Sequence, residues 1–295
     1  MGSCSSCSSG NSPQGEGCAM AGNQPGNAAQ CPAQEDKLKK ALQRIKHKIL
    51  VLSGKGGVGK STVAVNLAVA LALEGKHVGL LDVDFHGPSI PKLLHLEGRR
   101  PEVIENGLAL PIEIEGGMKV MSLGFLLQRQ DEAVIWRGPV KMGAIKQLLT
   151  DVQWGDLDYL VIDFPPGTGD EPLSVAQMIP DADGAVVVTT PQDVSTVDVS
   201  KSITFCRQLN IPILGVVENM SGLICPHCSQ LINLFKQGGG EEMAQRMGVP
   251  FLGRIPLDPQ IVESSDQGRP FVFHHQNSES AAAMRKIVQP LLELS

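Results

Sequence analysis

From residue 49 onward, short aliphatic runs alternate with longer segments whose apolar positions recur at helical spacing. Ile49–Ser53, Val78–Asp82, Tyr159–Asp163, Ala185–Thr189, Ile213–Val217 and Phe251–Arg254 read as strands. Lys60–Glu74, Val140–Asp151, Leu173–Met178, Val194–Leu209, Gly240–Met247 and Ser278–Leu294 read as helices, the last broken or bent at Pro290. The strands are apolar without alternation. A strand that offers water neither face belongs in a parallel sheet covered by helices on both sides. One interruption, Leu108–Glu115 and Met118–Leu123 around Gly116-Gly117, predicts an inserted β-hairpin. The expected fold is therefore α/β, a mostly parallel sheet with helices on both faces, without internal repeats.

The pattern changes toward the N-terminus. Leu38, Leu42 and Ile45 stand at helix spacing in a charged stretch, so residues 36–48 read as a helical lead-in packed on the main domain, 49–295. Residues 1–35 are rich in Ser, Gly, Asn, Gln and Pro, and they hold too few aliphatic side chains to bury a core. A disordered tail is expected there.

Of the 295 residues, 42% are hydrophobic and 19% charged, as in ordinary globular chains. The net charge of −6 argues against a nucleic-acid partner. No apolar run is long enough for a membrane span, and the N-terminus lacks a secretory h-region. A cytoplasmic protein with no membrane partner is expected.

Gly54-Lys55-Gly56-Gly57-Val58-Gly59-Lys60-Ser61-Thr62 lies between the first strand and the first long helix, where a phosphate-binding loop must sit. Its glycines let the main chain curl so that N–H groups face phosphate oxygens, and the helix adds its positive end. Lys60 supplies charge to the β/γ-phosphates, and the Ser61 hydroxyl is placed to ligate Mg²⁺. Lys55 resembles the extra lysine of the dimeric MinD/ParA/nitrogenase-iron-protein class. That resemblance implies a lysine reaching across a dimer interface to the partner's nucleotide.

Acids end the following strands. Asp163 closes an apolar strand in a Walker-B arrangement, which places it to hold Mg²⁺ through water. The stiff turn after it puts the Gly167 amide within approach of the γ-phosphate. The resemblance makes Asp84 the aspartate that orients the attacking water and sets Asp82 nearer the Mg²⁺ shell. It also makes Asn219 and Pro256, after two later strands, the adenine contacts. No N-K-x-D guanine motif occurs, so ATP is preferred to GTP.

Seven cysteines remain. Cys225 and Cys228 form a C-x-x-C pair within a loop spanning 221–234, whereas Cys206 sits among apolar helical positions and reads as a buried small hydrophobe. One chain offers two ligands at the pair, while a [4Fe–4S] cluster or a tetrahedral zinc needs four. A two-fold homodimer would complete the set. Cys4, Cys7, Cys18 and Cys31 in the tail are candidates for a second cluster, or belong to an inert tail.

G-K-G-G-V-G-K-S-T, D-V-D-F-H-G-P-S, D-F-P-P-G-T-G-D, V-E-N-M-S and C-P-H-C together resemble the Mrp/ApbC family of iron–sulfur carrier ATPases over about residues 40–290. The resemblance implies ATP hydrolysis, a homodimer or a heteromer with a paralogue, a labile cluster on the C-x-x-C pair, and its transfer to apo iron–sulfur proteins. A MinD/ParA-like positioning ATPase with zinc at C-x-x-C is the alternative.

Overall fold

The computed structural model describes residues 32–85, 87–105, 107–126, 138–224, 230–232, 234 and 236–294. Helix α1 (Pro32–Leu42) leads into strand β1 (Ile45–Ser53), then α2 (Lys60–Leu73), β2 (Val78–Asp82) and the short α3 (Ile90–Leu93). Strands β3 (Ile112–Glu113) and β4 (Lys119–Ser122) precede α4 (Gly138–Thr150), β5 (Leu157–Asp163), α5 (Asp170–Met178) and β6 (Gly184–Thr189). Next come α6 (Asp193–Gln208), β7 (Ile213–Glu218), a small hairpin of β8 (Leu223–Ile224) and β9 (Leu231–Ile232), and α7 (Gly239–Met247). The chain closes with β10 (Phe251–Arg254), α8 (Pro259–Asp266), α9 (Phe271–His274) and α10 (Glu279–Leu292).

Among the described residues, eight strands form the main sheet in the order β10-β7-β6-β1-β5-β2-β4-β3. Every pairing is parallel except β3 with β4. The aliphatic runs explain this. β2 and β6 are buried at every position, and a buried Leu or Val contributes about 1.5–3 kcal/mol by leaving water. Helices α2, α9 and α10 pack together over the sheet, while α6 packs on α7, and α1 on α4, in separate groups that complete its two faces.

Three expectations are corrected in detail. The lead-in helix stops at Leu42, and Ile45–Lys48 are already strand, with Ile45 opposite Leu157 and His47 opposite Tyr159. Parallel pairing to β5 outweighs the local helical spacing, and Arg44 and Lys46 find Asp156 and Asp158 at 2.9 and 2.6 Å on the neighbouring segment. The hairpin around Gly116-Gly117 exists, but its second strand, β4, joins the main sheet beside β2. Finally, α10 runs through Pro290. The proline lies in the last turns, where its missing N–H removes a single backbone bond.

Cys206 is buried as expected, and burial pushes its thiol up to about 12, which keeps it protonated and inert. No described helix is long and apolar enough to cross a membrane.

Candidate nucleotide site

The parallel sheet brings the ends of β1, β2 and β5 side by side, so residues far apart in sequence meet at one rim. β1 ends at the buried Ser53, and residues 54–59 form a loop that delivers Lys60 as the first residue of α2. Gly57 and Gly59 have φ of 79° and 80°, a left-handed conformation that a side chain resists. Gly59 also meets a wall: a Cβ there would lie 2.2 Å from Asn219 Nδ2. At the loop's start, a Cβ on Gly54 would lie 2.3 Å from the backbone of Asp198 on α6. Lys55 is half-buried, its carbonyl accepting from the Ser53 hydroxyl at 3.0 Å.

Lys60 is buried, and its ammonium lies 2.6 Å from Asp163 Oδ1 and 3.5 Å from Asp84 Oδ2. Burial works against that charge, but the carboxylates of Asp163, Asp84 and Asp82 together outweigh it and raise the lysine's pKa. Ser61, half-buried on the same helical turn, puts its hydroxyl 3.5 Å from the ammonium. Asp82 and Asp163 are register partners on β2 and β5, so two buried carboxylates face one another. Burial raises the Asp163 carboxyl above its ordinary value, against the pull of Lys60 and of the Ser61 hydroxyl. Asp163 Oδ2 is buried and has no hydrogen-bond partner. Asp84 and Asp163 around one lysine leave a deficit of positive charge. That deficit and the orphaned oxygen suit a Mg²⁺ held through water by Asp163 with Ser61 nearby.

Asp82 was expected near the metal shell, but both of its oxygens are engaged. Oδ1 accepts from the Asp84 amide at 3.1 Å and Oδ2 from the Ser122 hydroxyl at 2.9 Å. The first of these bonds ties Asp82 to the backbone of Asp84. Burial, reinforced by the Asp163 charge, pushes the Asp82 carboxyl up to about 8. The native state therefore keeps a proton that the unfolded chain sheds in the ordinary carboxylate range. Stability of the nucleotide-free, Mg²⁺-free protein should fall as pH rises from about 5 to about 8. Asp82→Asn, which cannot ionise, should remove most of that slope in thermal melts across the range. Parallel wild-type and variant slopes would mean that Asp82 is charged in the fold.

The Gly167 amide, expected to approach the γ-phosphate, donates to the Ser53 carbonyl at 2.9 Å, with φ of 90° at the glycine. It sits against the phosphate loop and must release that bond before meeting a ligand. Asp170 opens α5 in its first turn, where its charge suits the helix end. Asn219 Nδ2 donates to the Val58 carbonyl at 2.9 Å, placing the side chain against the phosphate loop. Pro256, half-buried, follows the adjacent β10, so the two adenine candidates share one corner of the rim.

Three contributors escaped the sequence reading. Ser122 holds Asp82 from β4. Lys141 on α4 pairs with Glu171 on α5 and lies 5.1 Å over the Phe85 ring, so it links the segments that follow β2 and β5. Glu218 ends β7 fully buried, accepting from Ser221, Gly238 and Gly240. Cys4, Cys7, Cys18, Cys31, Cys225, Cys228 and His86 lie outside the described residues. The strands β8 and β9 that flank residues 225–230 are described, and they pair Ile224 with Leu231.

A glycine loop opening a helix at the rim of a parallel sheet, with a lysine and strand-end aspartates converging on it, defines a P-loop nucleoside triphosphatase. The family model for the NUBPL iron-transfer P-loop NTPase of the ParA group matches residues 44–292, and the chain belongs to that family. The iron-sulfur cluster carrier protein of Methanocaldococcus jannaschii is 54% identical over 262 residues, 88% of this chain and 89% of the relative. The cytosolic Fe-S cluster assembly factor NUBP2 of Homo sapiens is 49% identical over 255 residues, 85% of this chain and 94% of that protein. Among solved structures, a nucleotide-binding protein from Archaeoglobus fulgidus in complex with ADP has a TM-score of 0.72 at 43% identity, covering 80% of this chain and 92% of that one. The cell division ATPase MinD of Pyrococcus furiosus has a TM-score of 0.61 at 25% identity, covering 85% of this chain and all of MinD.

Proposed function

We propose that this protein is a cytoplasmic ATP-hydrolysing carrier that holds a [4Fe–4S] cluster between two copies of the chain and passes it to apo iron–sulfur proteins. The observation that carries this reading is where the hairpin is rooted. β8 and β9 bracket the Cys225-Pro226-His227-Cys228 segment, and the chain enters the hairpin only a few residues beyond Asn219, which touches the phosphate loop. A cysteine pair that follows so soon in sequence after a phosphate-loop contact suits energy coupling better than a free-standing structural metal. The names of the curated relatives support the same reading.

ATP would lie along the loop 54–62, its phosphates facing the loop amides and the end of α2. Lys60 would leave Asp163 for the β/γ-phosphates, and Asp163 would then hold the Mg²⁺ water, with Ser61 as a direct ligand. Asp84, positioned by Asp82 and Ser122, would orient the attacking water. Lys55 would reach the partner's γ-phosphoryl, where charge builds as the bond breaks. Asn219 and Pro256 would border the adenine.

Anaerobic reconstitution should load about four iron and four sulfide per pair of chains. Cys225→Ala should lose that cluster and its visible absorption while still binding ADP. A wild type that takes up only zinc, or a variant that loads iron as the wild type does, would sink the reading. A variant lacking residues 1–35 assigns any additional iron to Cys4, Cys7, Cys18 and Cys31.

A further inference from the structure

The carboxylate of Glu218 is fully buried at the end of β7. Its partners lie at both ends of the cysteine loop. At the entry, the Ser221 hydroxyl donates to Oε1 at 2.5 Å. At the exit, the Gly238 amide donates to Oε1 at 3.0 Å and the Gly240 amide to Oε2 at 2.6 Å. The exit amides belong to the start of α7, whose positive end suits a carboxylate. The fit leaves no slack, because a Cβ on Gly240 would lie 2.9 Å from Oε2. Arg254 on β10 balances the charge, its Nε 3.3 Å from Oε1.

The neighbouring residue faces the other way. Asn219 bonds the Val58 carbonyl of the phosphate loop through its side chain and the Thr189 carbonyl through its amide. Met220, at φ 57°, then turns the chain back so that Ser221 meets Glu218. Two adjacent residues thus grip two different loops, and neither can shift without dragging the other.

We propose that Glu218 is a positioning residue that pins both described roots of the cysteine loop, at Ser221 and at Gly238 and Gly240, and, through Asn219, ties those roots to the nucleotide. The proposal deepens the function above and rests on its nucleotide-binding half. A ligand that fixes the phosphate loop fixes Asn219, and the clamp carries that restraint to Ser221 at one root and to Gly238 and Gly240 at the other. Linkage requires the reverse as well: whatever holds the cysteine loop must tighten nucleotide binding.

Amide hydrogen exchange at the roots, residues 221–224 and 236–240, of the full-length protein, with and without ADP, tests this. In the wild type, ADP should slow exchange there by about fivefold or more. In Glu218→Gln, one carboxylate oxygen becomes an NH₂ group facing backbone donors. Exchange should then be fast, and ADP should change it by less than about twofold, while the ADP dissociation constant stays within about tenfold of wild type. A loop merely destabilised by the substitution would still respond to ADP. Ser221→Ala removes one donor and leaves the carboxylate, and it carries the test if Glu218→Gln does not fold. In that variant the ADP effect should fall by about half.

An ADP response of wild-type size in either folded variant overturns the proposal, as does a wild type whose loop ignores ADP. Iron is not read in this experiment, so a failed cluster assignment would leave its outcome intact. A wild type that binds no ADP defeats both readings together.

Discussion

Replacing Lys60 with alanine is expected to cut ATP hydrolysis by about 10²–10³-fold, the scale seen when one donor to a developing anion is removed. The geometry gives the loss two sources. The ammonium is the phosphate ligand, and in the nucleotide-free protein it is also the counter-charge for Asp163 at 2.6 Å and Asp84 at 3.5 Å. Without it, Asp163 must either stay charged in a buried, uncompensated site or take up a proton. The first destabilises the fold, and the second leaves Asp163 unfit to hold Mg²⁺ through water. The variant should therefore be less stable by about 3 kcal/mol near pH 8 and recover toward pH 5, as protonation relieves the buried charge. Phosphate release at saturating ATP and melting curves at both pH values check the two halves. Hydrolysis within about tenfold of wild type would remove Lys60 from the transition state.

Gly59→Ala should be nearly as damaging, by a different route. The residue sits at φ 80°, which costs a side chain about 1–2 kcal/mol. The added methyl would also meet Asn219 Nδ2 at 2.2 Å, breaking that amide away from the Val58 carbonyl. Displacing both the loop and its Asn219 support should weaken ADP binding by about a hundredfold, measured by calorimetry. Gly75→Ala separates strain from collision, because Gly75 has φ 77° but open space around it. It should lower the melting temperature and leave ADP affinity unchanged. Equal ADP affinity in wild type and Gly59→Ala would mean that the contact with Asn219 does not shape the site.

The layered fold was legible because its signal is local. Unbroken aliphatic runs such as Val186–Val188 cannot face water on either side, so their sequence states their environment. The loop 54–62 was legible for a related reason, since glycine spacing and a following helix are read within a dozen residues. Long-range partners were not. Ser122 reaches Asp82 across 40 residues and only because β4 joins the sheet beside β2, which the hairpin pattern does not state. Ile45–Lys48 were misread as helix because apolar spacing ignores a strand waiting at Leu157–Asp163. Glu218 had a readable sign. It ends an apolar strand as Asp82 and Asp163 do, and an acid in that position belongs to whatever lies at the carboxyl rim. Two-residue strands and one-turn helices such as β8, β9, α3 and α9 carry too few residues for any periodicity, so only packing decides them.

The outermost strands of the main sheet are its runts: Phe251–Arg254 closes one side with four residues, and Ile112–Glu113 the other with two. So short a margin gives an incoming chain few backbone groups to zip onto, which is how sheets guard against uncontrolled polymerisation. Self-association by lengthening the sheet is thereby discouraged. If two copies share a cluster as proposed, they would have to dock by side chains and loops rather than by extending the sheet.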